Sequence, residues 1–215
     1  ADAQVSGLTT DSRHIRQGDL FLALRGEHFD AHEFLENVAL SGAAAVVAEQ
    51  VPTGFELPAL IVTDTKVALL EIARHWRRQF SSPVIGVTGS NGKTTVKEMI
   101  AAILVAYVGS EHCLSTSGNL NNEIGVPLTV LRLQEQHQCA VIELGMNHPG
   151  EIALLASVAM PTVGLVNNAQ REHQEFMQSV DAVALENGSV LRSLPLNGTA
   201  VFPADDTYTG LWRSL

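Results

Sequence analysis

Apolar and polar positions recur along this chain in two different periods, and the switches between them mark its elements. The short apolar runs "GDLFLAL" (18–24), "AAAVVAEQ" (43–50) and "PALIVTD" (58–64) read as strands, while "AHEFLENVALSG" (31–42) and "KVALLEIARHWRRQF" (66–80) read as helices. The last of these sets Val67, Leu70, Ile72, Ala73 and Trp76 mostly on one side, as an amphipathic helix requires, with Arg77 and Arg78 on its solvated face. "SSP" at 81–83 breaks that helix, and the alternation then restarts. It predicts strand 84–88, helix from about 93 to 107, a polar loop, helix about 122–132, strand 139–144, helix 150–159, strand 162–167, helix 179–194 and strand 199–203. Strand and helix in turn predict α/β architecture with a parallel sheet covered on both faces. The expected division is a small N-terminal α/β domain over residues 1–80 and a larger parallel-sheet domain over 81–215.

Composition narrows the partners. A chain of 215 residues that is 46% hydrophobic can bury the cores of two domains. Its formal net charge of -10 argues against a nucleic-acid surface, which needs clustered Lys and Arg, so an anionic ligand must find a locally basic spot. Cys113 and Cys139 have neither metal-type spacing nor a disulfide framework, and are expected as buried reduced thiols of a cytoplasmic protein. No apolar run approaches the roughly 20 residues that span a bilayer, so no membrane insertion is expected.

The chemistry concentrates in "VIGVTGSNGKTTVKEM" (84–99), a glycine-rich turn between a strand and a helix. A strict Walker A pattern needs glycine five residues before the Gly-Lys pair, where Val87 stands; Gly86 comes one place too early. The physical requirements survive, because Gly89 and Gly92 permit a turn whose amides point inward and the loop runs straight into a helix N-terminus. Gly89, Ser90, Asn91, Gly92, Lys93, Thr94 and Thr95 are therefore candidates to hold ATP, with Lys93 on the β and γ phosphates and the Thr94 hydroxyl on Mg²⁺. The domain is thus expected to be a P-loop-type ATPase domain. A guanine-reading Asn-Lys-x-Asp segment is excluded, since none of the three lysines, Lys66, Lys93 and Lys97, is suitably placed.

Two further polar clusters follow. "STSGNLNNEIGVP" (115–127) crowds Asn119, Asn121 and Asn122 before a helix, and "VIELGMNHPGEI" (141–152) puts Glu143 at the end of an apolar run. A carboxylate at the C-terminal end of a strand beside a phosphate loop is where a metal-holding acid belongs, which makes Glu143 the candidate. Asn121 and Asn122 have capping of the following helix as their alternative use.

Taken together, "TGSNGKTT", "GNLNNEIGVP", "ELGMNHPGEI" and "NNAQREHQEF" resemble the Mur ligase family, and "TTDSRHIRQGDLFLALRGEHFDAHEF" (9–34) is similar to that family's domain for the uridine nucleotide of the substrate. The two middle segments look like the member that joins D-alanyl-D-alanine to UDP-N-acetylmuramoyl tripeptide. The resemblance implies ATP-driven amide formation. The γ-phosphoryl group passes to the tripeptide carboxylate, and the amine of D-alanyl-D-alanine attacks the resulting acyl phosphate. It implies Lys93 and His173 as catalytic residues, Thr94, Glu143 and His173 as magnesium ligands, and Asn121 and Asn122 beside the phosphates or the incoming carboxylate. Asp11, Ser12 and Arg13 are implied to grip the nucleotide; an ordinary turn is their alternative.

Two departures qualify the likeness. Many Mur ligases carry a carbamylated lysine beyond the metal-binding histidine, but no lysine follows Lys97 here; the corresponding helix reads "SVDAVALENGSVL". Glu186 is the candidate to supply that negative charge to the metal, with Asn187 near the vacated position, and a plain surface role is its alternative. Family members also continue into a third, C-terminal domain, so the chain is expected to be a fragment that binds ligands without ligating alone. The related folylpolyglutamate synthetases tend to read "GTNGKGS" where this chain has Thr94 and Thr95. A non-catalytic nucleotide-binding module is the remaining rival.

Overall fold

Every pairing between strands among the described residues is parallel, and the strands form two separate sheets. The computed structural model describes residues 3–26, 28–171 and 179–215. Its backbone divides into two units, Ala1–Glu71 and Ile72–Leu215.

In the first unit β1 (Gly7–Thr9), β2 (Asp19–Leu22), β3 (Ala45–Ala48) and β4 (Ala59–Ile61) lie in the order β1-β2-β3-β4. The helix α1 (Leu35–Leu40), entered through a 3₁₀ turn at Ala31–Phe34, carries the chain from β2 to β3. Leu35 and Val38 from α1 pack on Phe21, Ala23, Val46 and Ala48, with Ile15, Val51, Phe55 and Leu57 closing the cluster. β1 escaped the sequence pattern because its three residues, Gly-Leu-Thr, are half-buried at a sheet edge and show no apolar run. The turn before α1 is fixed by charge. Asp30 accepts from the His32 backbone N–H at 3.0 Å and from Arg25 Nε at 2.8 Å, and its other close partner is the buried His32 ring. His32 Nε2 accepts the Glu49 N–H at 2.9 Å, which leaves Nδ1 as the protonated nitrogen that faces Asp30.

The second unit begins within α2 (Thr65–Arg77) and continues through β5 (Val84–Thr88), α3 (Lys93–Val108), β6 (Cys113–Ser115), α4 (Gly125–Val130), β7 (Cys139–Glu143) and α5 (Glu151–Ala159). It ends with β8 (Val163–Val166), α6 (Val180–Asn187), α7 (Ser189–Arg192), β9 (Thr199–Val201) and α8 (Thr209–Arg213). The strand order β6-β7-β5-β8-β9 puts β5 at the centre. The chain goes from β5 out to β6, returns to β7, then crosses to β8 on the other side of β5. That reversal of direction is where ligands bind in open α/β sheets, outside the C-terminal strand ends.

Alternation along β5 explains its composition. Val87 and Ile85 join Val96, Ile100, Ala101 and Leu104 of α3 on one face. Gly86 faces the other way, where a Cβ would come within 3.2 Å of both Pro161 Cβ and Val190 Cγ2. Gly86 is therefore a packing residue, which is why it sits one place off the phosphate-loop pattern. β6 occupies part of the stretch expected as a polar loop; it is only three residues long and pairs Cys113 opposite Cys139. Both cysteines are buried and free, and burial pushes the Cys113 thiol up to about 12. Trp212 of α8 is buried and donates from Nε1 to the Ala184 carbonyl of α6 at 2.9 Å. No helix among the described residues is long and apolar enough to cross a membrane.

Arg77 corrects an expectation. Arg78 is exposed as the helical pattern suggests, but Arg77 is buried and its guanidinium donates to the carbonyls of Ala159 (2.9 Å), Phe80 (2.6 Å), Ser82 (3.2 Å) and Met160 (3.2 Å). The chain after α2 turns back over the helix end, and only a five-donor fork can satisfy so many converging acceptors. Replacing it by methionine leaves those carbonyls buried without donors, so Arg77→Met is expected to lower stability by about 3 kcal/mol in urea unfolding followed by tryptophan fluorescence. A loss below about 1 kcal/mol would mean water replaces the guanidinium.

Asp30 supplies a pH test. Burial opposes its ionisation, but the His32 backbone N–H, the His32 ring and Arg25 outweigh it and hold its carboxyl at about 2, below the usual 3.8. Its contribution to stability is thus complete above about pH 4 and is lost as pH falls towards about 2. Asp30→Asn is expected to flatten that acid limb while leaving its slope above pH 5 unchanged, as read from urea midpoints across the range.

Candidate active site

Three strand ends of the second sheet converge on the loop after β5. Gly89 has φ +138° and Gly92 φ +74°, backbone states that residues with a Cβ rarely adopt, and Gly92 leads directly into Lys93 at the start of α3. The first N–H groups of a helix lack intrahelical partners, so the loop presents donors at a positive helix end. Lys93 Nζ donates to the carbonyls of Gly89 (2.5 Å) and Ser90 (3.1 Å), which folds the amine back over the loop. Thr94 and Thr95 are both exposed in the same turn.

Glu143, at the end of β7, is only 1% exposed and is held by three neighbouring side chains. Its Oε1 accepts from Asn121 Nδ2 at 2.8 Å and from Thr94 Oγ1 at 3.2 Å. Its backbone N–H donates to Thr116 Oγ1 at 3.0 Å. Its Oε2 is buried with no hydrogen-bond partner among the described residues. A carboxylate oxygen left in that state costs on the order of 1–3 kcal/mol or more, which a divalent cation would remove. Thr94 adds a second hard oxygen on the same carboxylate. No cluster of three or more His, Cys, Asp or Glu suited to a metal occurs among the described residues. A single carboxylate and a hydroxyl, completed by water and phosphate oxygens, is the donor set magnesium takes, so the residues present fit that ion.

The two asparagines part company. Asn121 is spent on Glu143, whereas Asn122 Oδ1 caps α4 by accepting from Ile124 N (3.2 Å) and Gly125 N (2.9 Å). Glu186 is buried, and its Oε1 accepts the Ile152 N–H at 2.9 Å in the first turn of α5. Its neighbour Asn187 accepts from Thr88 Oγ1 at 2.6 Å, directly beneath the loop, and keeps a buried Nδ2 without a partner among the described residues. His173 lies outside the described residues.

In the first unit Asp11 caps the 3₁₀ turn Ser12–His14, accepting from Arg13 N at 3.0 Å. The same carboxylate takes Arg13 Nε at 2.8 Å and NH2 at 2.7 Å, and these bonds hold it well below the usual carboxylate range. Arg13 is exposed, while Ser12 is half-buried.

Four contributors were not singled out from the sequence. Thr116 is one. The others follow β8: Asn168 Oδ1 accepts Asn91 N at 2.9 Å, Asn167 Nδ2 donates to Asn91 O at 2.6 Å, and Gln170 Oε1 accepts Asn91 Nδ2 at 2.8 Å. Ser90 also receives the Gln170 N–H on its hydroxyl at 2.8 Å. These partners stand 76 to 80 residues from the loop. The one local signal was the polar "NNAQ" just after an apolar strand.

Comparison with known proteins accords with this arrangement. Residues 87–215 match the model of the Mur ligase middle domain, and residues 4–77 match the Mur ligase family catalytic domain. The UDP-N-acetylmuramoyl-tripeptide–D-alanyl-D-alanine ligase of Escherichia coli K12 is 46% identical over all of this chain and 47% of its own length. A crystal structure of MurF from Acinetobacter baumannii superposes with TM-score 0.91 at 38% identity, covering 98% of this chain and 46% of that one. The MurF ligase of Thermotoga maritima in complex with ADP gives TM-score 0.87 at 30% identity, covering 100% and 48%. The chain thus spans about half the length of the relatives it matches.

The brace from β8 makes the loop sensitive to one methyl group. A Cβ on Gly89 would lie 3.0 Å from both Asn167 Cβ and the Asn168 backbone nitrogen, at a φ that L residues avoid. Gly89→Ala is expected to cost about 1–3 kcal/mol of stability and to raise hydrogen exchange at Ser90 and Asn91. Unchanged exchange at those two amides would show the brace to be slack.

Proposed function

The chain belongs to the Mur ligase family, and from that premise we propose that it forms the ATP-handling and UDP-substrate-handling part of an enzyme that joins D-alanyl-D-alanine to UDP-N-acetylmuramoyl tripeptide. The 46% identity to the E. coli ligase of that name, over all of this chain and 47% of that protein, supports this. The observation that carries it is Glu143, a buried strand-end carboxylate with one oxygen held by Thr94 and Asn121 and the other unpartnered among the described residues. The likeness to the Thermotoga enzyme with ADP supports nucleotide at the adjacent loop.

In this reading the amides at the start of α3 and the Lys93 amine bind the triphosphate and spread the charge that grows on the transferring γ-phosphoryl group. Magnesium held by Thr94 and Glu143 supplies further neutralisation of the phosphate oxygens when bound. The terminal carboxylate of the tripeptide attacks phosphorus in line, the bond to the ADP oxygen breaks, and an acyl phosphate forms. The amine of D-alanyl-D-alanine then adds to the acyl carbon, and phosphate departs carrying the proton that nitrogen gives up, which leaves the amide. None of this calls for a protein nucleophile, which suits a loop rich in amides, hydroxyls and a single lysine. Asp11 holds Arg13 outward as the anion-facing group for the uridine diphosphate of the substrate, with Ser12 beside it. Asn122 keeps α4 seated so that Asn121 stays on Glu143. Dissolved nucleotide-linked substrates suit a cytoplasmic setting.

Calorimetric titration of the 215-residue chain tests the assignment. ADP with magnesium is expected to bind, and Lys93→Ala to weaken it at least tenfold, the equivalent of about 1.4 kcal/mol. Arg13→Ala is expected to weaken UDP-N-acetylmuramoyl tripeptide and leave ADP unaffected. ADP binding indifferent to Lys93→Ala, or no binding at all, contradicts the proposal.

A further inference from the structure

Lys97 is buried to 0% exposure, a state lysine almost never adopts without a reason. It lies in α3 four residues beyond Lys93, and the phosphate loop makes no use of it. Its Nζ donates to the Thr116 carbonyl at 2.9 Å and pairs with the Glu98 carboxylate. Glu98 itself is mostly exposed, so among the described residues the buried partner of the amine is a peptide carbonyl.

That carbonyl belongs to the residue that holds Glu143. Thr116 is 1% exposed; its N–H donates to Val141 O at 3.0 Å, and its hydroxyl accepts the Glu143 N–H at 3.0 Å. All three groups of Thr116 that can hydrogen-bond are thereby occupied: the amide and hydroxyl by β7, the carbonyl by Lys97. The Glu143 carboxylate is oriented at its tip by Thr94 and Asn121 and at its root by Thr116, and Thr116 is anchored by Lys97. The anchor and Thr94 both come from α3, three residues apart. The helix that would supply a hydroxyl to the cation therefore also sets the height of the acid on the neighbouring strand.

We propose that Lys97 is a positioning residue for the divalent cation at Glu143, acting through Thr116; this rests on Glu143 being the metal-holding acid. Partners one step removed from metal ligands commonly change metal affinity by 10–100-fold. A lysine that merely ties α3 to the edge of the sheet would instead change stability and weaken nucleotide with and without metal alike.

The test is ADP binding by the 215-residue chain, titrated over a range of Mg²⁺ concentrations, for the parent and for Glu143→Gln, Lys97→Met, Thr116→Val and Thr116→Ser. Glu143→Gln is expected to abolish the enhancement of ADP binding by Mg²⁺. Lys97→Met is expected to raise the Mg²⁺ concentration for half-maximal enhancement about tenfold while the metal-free ADP affinity stays within about twofold. Thr116→Val, which keeps the carbonyl but removes the hydroxyl, is expected to do the same, Thr116→Ser to retain the parent midpoint, and the Lys97→Met/Thr116→Val pair to be no worse than the stronger single change. A parent-like midpoint in Lys97→Met and Thr116→Val, alongside a lost enhancement in Glu143→Gln, overturns the role of Lys97 and leaves Glu143 as the metal acid. Equal weakening of metal-free and metal-bound ADP by Lys97→Met also overturns it. Full Mg²⁺ enhancement in Glu143→Gln defeats both. If Lys97→Met does not fold, the midpoint of Thr116→Val decides.

Discussion

A carboxylate buried at the end of a strand is tolerated only if its surroundings treat it as an ion, and that demand on Glu143 organises the second unit. Four segments meet around it, α3 through Thr94 and the loop before α4 through Asn121 on Oε1, the end of β6 through Thr116 on the backbone N–H, and β7 itself, while Oε2 has no partner among the described residues. They are far apart in the chain, and only a parallel sheet brings their ends to one edge. The reversal of strand order about β5 then opens a crevice at that edge. Fold and chemistry are in this sense one constraint. Moving β7 by one residue in its register with β5, where Val87 faces Glu143, would turn the acid to the opposite face of the sheet.

The glycine-rich loop after β5 shows the same economy in a different form. Its glycines admit a strained path, and the path is then held from outside, by the Asn167–Gln170 segment rather than by the loop itself. A loop shaped in advance loses little conformational freedom when an anion arrives, which favours affinity from few contacts. Thr88, at the last position of β5, extends the bracing inward to Asn187 of α6.

Much of this was legible in the sequence, and what was not shares a physical cause. The longer elements announced themselves, because α3 and α5 set apolar residues at helical spacing and β5 is a short apolar run, buried on both faces, bounded by turn residues. The glycine-rich turn before α3, and Glu143 at the end of β7, could be placed because glycine and a strand-end acid act locally. The edge strands β1 and β6 could not, since three half-polar residues carry no period. Arg77 looked solvated because its acceptors come from the chain beyond the helix and from the end of α5. Thr116, Asn167, Asn168 and Gln170 look like loop residues in one dimension; their roles exist only once β6, β7, β5 and β8 stand side by side.

Because every strand of the five-stranded sheet points the same way, its two edges carry different duties. At the edge where strands begin, Cys113 meets Cys139 and each fills buried space. At the edge where strands end, each residue answers to partners contributed by other segments, and change must come in concert. One rim of the sheet thus asks its residues for volume and the other asks them for geometry, on a single scaffold.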